Sequence, residues 1–362
     1  MKTIYKEDMQ ECKRRVDAWW NHEIIDRAVV QIRVSPEPAF VDESNLPEMN
    51  PQIAEAWFMD PQIVIQRLKK ELSKTHFGGE AFPVMPAVSG RMVAITAAYL
   101  GCPLEFIDTK TVWSHPFLTD WTDRPTFRFN PENEWWQKSE TLLKTAVEQA
   151  DGYYVSVPDL NGPTEILARI RGTQRLALDF YDNPQFIKPA MREINQAWYD
   201  YWQACVDITH QAGGYFFWMG IWSDIPTTDL QSDFSLMMSK DMFDEYFLPF
   251  IAEQTEMVQR TIYHLDGPGA VRHLDSLLDL PHLDGVQWVP GAGAKPAVEW
   301  IPLLKRIQDA GKLVYIYCEG YHVETLLKEL NPEGLMLVVE DCKSMDEAQK
   351  LLDNMTIWCK GK

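Results

Sequence analysis

Short apolar runs of strand length recur along the chain, and each is followed by a stretch that carries helical pattern. Eight such runs stand out: AVVQIRV (28–34), AFPVMPAV (81–88), YYVSVPDL (153–160), YFFWMGIW (215–222), RTIYHLDG (260–267), GVQWVPG (285–291), KLVYIYCEG (312–320) and GLMLVVEDC (334–342). Between them, Asn183-Pro184 opens a helical run to about Gln211, Ser239 precedes Asp241-Met242-Phe243, and Ser344 precedes a final helix near Asp346 to Leu352. Capping side chains, or a proline at the first helical position, mark such starts. Strand and helix alternating in this way predict βα units around a parallel sheet, and eight units predict a closed (β/α)8 TIM barrel of the α/β class. An open doubly wound sheet is the alternative. Length allows a single barrel domain over residues 1–362. Residues 1–150 hold only the first two strands, a proline-rich connection (Ser35-Pro36-Glu37-Pro38) and a tryptophan-rich run from Thr111 to Trp136. They predict an N-terminal elaboration that covers one barrel end.

Composition narrows the partners. Hydrophobic residues make up 46% and charged residues 24%, as in a globular chain with a large core. The 53 acidic residues against 34 basic ones give a net charge of -19, which repels phosphate backbones and anionic lipid. No basic run exceeds Lys13-Arg14-Arg15, so neither nucleic acid nor a membrane surface is an expected partner. The opening MKTIYKEDMQECKRR lacks the apolar core of a signal peptide, and no stretch approaches the roughly 18 apolar residues of a membrane span. A cytoplasmic protein is expected. Cysteines 12, 102, 205, 318, 342 and 359 are scattered and form no C-x-x-C, which predicts free thiols rather than a disulfide framework.

The chemistry-bearing residues gather at the carboxyl ends of the expected strands, where barrel enzymes place their sites. The fifth run ends in His264-Leu265-Asp266-Gly267. Side chains two apart on a strand face the same way, so the imidazole and the carboxylate project together as metal ligands or a proton-transfer pair. A buried His held by a neighbouring carboxylate is the structural alternative. The third run ends in Asp159, the fourth in Trp222 with Asp224, the seventh in Cys318-Glu319 and the eighth in Glu340-Asp341-Cys342. His264, Asp266 and Cys342 form the expected zinc set, three protein ligands with one open position, with Glu319 or Glu340 as a further ligand or supporting acid. His264, Asp266 and Glu319 are the catalytic candidates. Asp159, Trp222, Asp224 and Trp288 are the substrate-binding candidates, the two indoles offering flat walls. Taken in isolation, Cys342 reads first as a small core residue, and only the convergence with His264 and Asp266 makes it a ligand candidate. Gly291-Ala292-Gly293-Ala294 has neither G-x-G-x-x-G nor G-K-[ST] around it, which leaves dinucleotide and ATP binding without a motif.

The segments NGPTEILARIRG with LDFYDNPQFI (161–187), MMSKDMFDEYFLPFI (237–251), HLDGPG (264–269) and GLMLVVEDC (334–342) occur in an order that resembles the uroporphyrinogen decarboxylase superfamily. That superfamily includes zinc-dependent methyltransferases acting on corrinoid proteins. The resemblance covers about the C-terminal three-fifths of the chain, and it implies a (β/α)8 barrel with its site in the carboxyl-end cleft. In the corrinoid methyltransferase branch zinc is held by an H-x-C after strand five and a Cys near strand eight. His264 and Cys342 match those positions, while Asp266 stands where that branch has Cys. The decarboxylase branch fits less well: its R-Q-A-G-R is missing after Arg33, and no Asp occurs between Phe82 and Val88. The resemblance therefore implies a methyltransferase that moves a methyl group between a small O-methyl or N-methyl substrate and the cobalt of a separate corrinoid protein, with zinc as cofactor. A decarboxylase or lyase of the same fold, and a non-catalytic small-molecule-binding barrel, are the alternatives.

Overall fold

The computed structural model describes residues 5–35 and 50–360; Pro36-Glu37-Pro38 of the proline-rich connection lie outside them. The strands run in chain order β1 (Val29–Val34), β2 (His76–Gly79), β3 (Val84–Met85), β4 (Leu104–Phe106), β5 (Val112–Ser114), β6 (Tyr154–Val155), β7 (Tyr215–Phe216), β8 (Trp222–Ser223), β9 (Thr227–Gln231), β10 (Arg260–Asp266), β11 (Gly285–Val289), β12 (Leu313–Tyr317) and β13 (Leu335–Val339). Seven of them form one sheet in the order β2-β1-β13-β12-β11-β10-β9. It is parallel from β1 to β9, and β2 is added antiparallel to β1. The crossovers between parallel neighbours are helical, as the alternation predicts.

Among the described residues the hydrogen-bonded sheet does not close into the expected eight-stranded barrel. The runs at 81–88 and 153–160 contribute only β3 and β6, which pair with each other apart from the main sheet. Prolines explain the shortening, because Pro83, Pro86 and Pro158 flank these strands and remove the backbone donors a ladder needs. Isolated bonds continue where N–H groups remain: Tyr154 N donates to Pro83 O at 2.9 Å and Val157 N to Phe216 O at 2.8 Å.

The run at 215–222 is not one strand. β7 and β8 pair antiparallel, Tyr215 with Ser223 and Phe216 with Trp222, so the chain reverses across Phe217–Ile221. Gly220, at φ +72, makes the reversal, and a Cβ there would lie 2.6 Å from Arg33 Nη2. Phe217, Met219 and Ile221 are buried, and the hydroxyl of Tyr315 donates to Met219 O at 3.3 Å. The run is apolar because it plugs the interior, and burial alone does not distinguish a plug from a strand. The next parallel strand is β9, whose sequence TTDLQ carries no apolar run.

The two faces of the sheet feed separate cores. Val30, Ile32, Leu265, Val286, Trp288, Ile316 and Leu337 join the helix-side core. Val29, Ile262, Leu313, Tyr315, Met336 and Val338 alternate with them and join the inner one. The inner core is completed by Cys12, Val16 and Trp19 of helix Met9–Trp20. That helix lies at the amino end of the strands: the Trp20 indole faces Arg260, the first residue of β10, with the guanidinium 5.1 Å from the ring centroid. The helix starts follow the sequence. Pro184 opens Pro184–Thr209, Ser239 Oγ accepts from Met242 N at 3.2 Å, and Ser344 Oγ accepts from Glu347 N at 3.1 Å. Among the described residues no helix is long and apolar enough to cross a membrane.

Candidate functional site

His264 and Asp266 share the inner face of β10, and a third carboxylate reaches them from Asp233, on the short 3-10 helix Asp233–Met237 that follows β9. One ligand atom from each of the three residues lies within 4.8 Å of the others. In the parallel register His264 stands beside Gln287 of β11, and its Nδ1–H donates to Gln287 Oε1. A carboxamide oxygen only accepts, so Nδ1 carries a proton, and in the neutral imidazole that leaves the lone pair on Nε2. This is the arrangement by which an outer partner fixes a metal-binding imidazole. Trp218, from the interior plug, packs edge-on against the imidazole with ring centroids 5.7 Å apart.

More carboxyl groups surround this triad. Asp159 accepts from Gln231 Nε2 at 2.7 Å and from Asn161 N at 2.9 Å. Glu165 accepts from Phe234 N at 2.8 Å. Burial raises the Asp159 carboxyl above the ordinary range, opposed by these hydrogen bonds and by His264. Asp233 is exposed as a residue, yet the protein around its carboxyl disfavours the charge, and the charges of Asp266 and Asp159 raise it further against the pull of His264. Glu165 is pushed up to about 8 by burial and then by Asp233, and Asp229 to about 8 by burial and then by Asp159. So many acids around one imidazole repel one another, and a divalent cation would relieve that repulsion. One nitrogen and two carboxylates, with the imidazole already oriented, are a donor set that fits zinc with an open position. Hard oxygen ligands suit magnesium or manganese as well.

A cleft of about 690 Å³ opens beside the triad at the carboxyl ends of β11, β12 and β13. Asp266, Tyr317, Glu319, Glu340, Asp341 and Lys295 are among its walls. Glu319 is hydrogen-bonded to His322 Nδ1 at 2.9 Å, and that hydrogen bond holds its carboxyl below the ordinary range.

The structure thus brings His264, Asp266, Asp159, Glu319 and Glu340 to one end of the sheet and sends Cys342, Trp288, Trp222 and Asp224 elsewhere. Cys342 is outside the triad. It is 8% exposed within the helix-side core, in the same apolar cluster as Ala348 and Leu351, and burial pushes its thiol up to about 11, away from the thiolate a metal needs. Asp233 takes the place expected for it. Trp288 alternates with Gln287 and so faces the helices, fully buried with its ring 4.9 Å from that of Trp300. Trp222 and Asp224 lie at the opposite end. Trp222 O accepts from Trp20 Nε1 at 2.9 Å, and Asp224 pairs with Arg260 Nη1 at 2.6 Å, six residues of strand or about 20 Å from Asp266. Sequence reasoning missed Asp233, Gln287, Asp229 and Gln231. Gln287 was open to discovery by its parity on an expected strand, whereas the other three belong to β9 or follow it.

No family model matches the chain, and no curated protein matches it. Among solved structures, a methyltransferase from Methanosarcina mazei is similar with a TM-score of 0.60, over 96% of this chain and 98% of that chain, at 13% sequence identity. At that identity the likeness is one of fold.

Proposed function

We propose that this chain is a methyltransferase of the uroporphyrinogen decarboxylase superfamily, moving a methyl group between a small O-methyl or N-methyl substrate and a separate corrinoid protein. On this reading the main sheet and the β3–β6 pair make up a (β/α)8 barrel whose hydrogen bonding is interrupted by the prolines of its second and third strands. The observation that carries the reading is the meeting of Asp233, His264 and Asp266 beside a cleft, at the strand ends where barrel enzymes hold their chemistry. The fold shared with the M. mazei methyltransferase supports it.

A zinc ion held by Asp233, His264 and Asp266 would supply Lewis-acid stabilisation of the charge left on oxygen or nitrogen as its methyl group departs. Gln287 keeps the His264 ring in one tautomer, and Trp218 restricts its rotation. Glu165 and Asp229, protonated to about pH 8, keep further negative charge from building up behind Asp233 and Asp159. Glu319, held ionised by His322, gives the cleft wall an acceptor for a polar group of the substrate. The cleft has the size of a small-molecule site.

Metal analysis and a methyl-transfer assay with methylcobalamin as probe test the reading together. About one zinc per chain is expected, lost in His264→Ala along with turnover. Unchanged metal content and turnover in that variant would mean the site is misplaced. A metal-free protein that still transfers the methyl group would remove the Lewis acid from the mechanism.

A further inference from the structure

We propose that a second pocket, formed within the N-terminal elaboration, binds a small oxyanion through Arg67 and Arg91. The pocket has a volume of about 180 Å³ and lies among helices Pro51–Met59 and Pro61–Lys74 and the loop after β3. Trp57, Arg67, Glu71, Ser89 and Arg91 line it, and it shares no lining residue with the cleft at Asp266.

Several arginines elsewhere in the molecule are held close to carboxylates. Arg15, Arg27, Arg171 and Arg260 meet carboxylates at 2.7, 2.8, 2.5 and 2.6 Å. Among the described residues the one ion pair of Arg67 is with Glu71, at 3.8 Å. Among the described residues Arg91 forms no ion pair, its Nη1 donating to Thr109 O at 2.9 Å. The guanidinium of Arg67 lies 4.4 Å from the centroid of the Trp57 ring, and its Nη2 donates to Trp57 O at 3.3 Å. Its Nε is buried with no hydrogen-bond partner among the described residues. A guanidinium fixed against an aromatic ring, with one donor left over, is prepared for an oxyanion. Ser89 Oγ already accepts from Arg91 N at 3.2 Å, which leaves its hydroxyl proton to donate.

The electrostatics agree with the geometry. Burial and, after it, the neighbouring Arg91 disfavour the charge on Arg67 against the pull of Glu71, and burial raises the Glu71 carboxyl in spite of the two arginines. A chain of net charge -19 therefore sets two guanidinium groups, one of them largely buried, around one small pocket whose lining holds a single acid, Glu71. The volume corresponds to about six waters, enough for a phosphate or short carboxylate and too little for a nucleotide. This site is independent of the methyl-transfer reading.

Calorimetric titration of the whole chain with inorganic phosphate, and separately with acetate, tests the site at an ionic strength held constant with sodium chloride. Saturable binding of at least one anion is expected. It should weaken at least about tenfold in Arg67→Met and in Arg91→Met, since a hydrogen bond to a charged group is worth that much. His264→Ala should bind as the native chain does. Preference for phosphate or for acetate identifies which kind of oxyanion the pocket takes. Heat that never saturates with either anion, or binding lost in His264→Ala and kept in both arginine variants, overturns the proposal. The native chain and His264→Ala decide the matter even if an arginine variant fails to fold.

Discussion

Replacing Gln287 by leucine separates the orientation of His264 from the stability of the fold. Gln287 is fully buried; its Oε1 accepts from His264 Nδ1, and its Nε2 has no hydrogen-bond partner. Leucine of similar volume removes the acceptor of the His264 Nδ1–H together with an unpaired donor; shedding the unpaired donor offsets part of the cost of stranding the imidazole N–H, a net loss on the order of 1 kcal/mol. The imidazole, however, loses the group that fixes its tautomer. Partners of this kind change metal affinity by about 10- to 100-fold, or about 1.4 to 2.7 kcal/mol. Zinc titration against a competing chelator should show that loss, while the thermal midpoint of the metal-free chain stays within about a degree or two of the native value. Gln287→Glu, which keeps the acceptor and adds charge, should bind zinc at least as well as the native chain. Zinc affinity unchanged in Gln287→Leu would refute the idea that this amide orients the ligand.

Two further outcomes concern the scaffold and its response to pH. Glu80 is completely buried and accepts from Arg27 Nη1 and Nη2, both at 2.8 Å, and from Val30 N at 3.0 Å. Glu80→Ala strands the Arg27 charge and should cost about 3–5 kcal/mol in chemical denaturation; a loss below about 1 kcal/mol would contradict that account. The raised Glu165 carboxyl means that the folded chain holds this proton more tightly than the unfolded chain. Its contribution to stability is complete below about 4.5 and is lost as pH rises through about 8. Glu165→Gln should flatten the pH dependence of unfolding across that window, and an unaltered slope would show that other groups set it.

The legible and illegible parts of this chain divide by physical cause. β10 to β13 match the sequence runs within a few residues, because each is an apolar segment bounded by Gly, Asp or Asn and satisfied along its length by parallel neighbours. The alternation of side chains made His264 and Asp266 legible as a pair. It equally places Trp288 on the helix side, a consequence that attention to its aromatic ring alone overlooks. The runs at 81–88 and 153–160 were shortened by their own prolines. The largest misreading arose from the interior plug. Phe217–Ile221 are as hydrophobic as any strand, whereas the true strand β9 is polar because Thr227, Asp229 and Gln231 turn inward, toward the acids around the triad. The strand nearest the chemistry is the one with the least strand-like sequence, and Asp233 was hidden with it. Trp222 and Asp224 were assigned to the wrong end by the same error, since a reversal within five residues leaves no trace in hydrophobicity.

The stopper made by helix Met9–Trp20 and by Phe217–Ile221 carries a kinetic consequence. On the proposed barrel and reaction, a vessel plugged at its base fills and empties through its neck, and the methyl donor and the protein that takes the methyl group use one opening by turns. A small inert donor analogue lodged there would then compete with a macromolecule it in no way resembles.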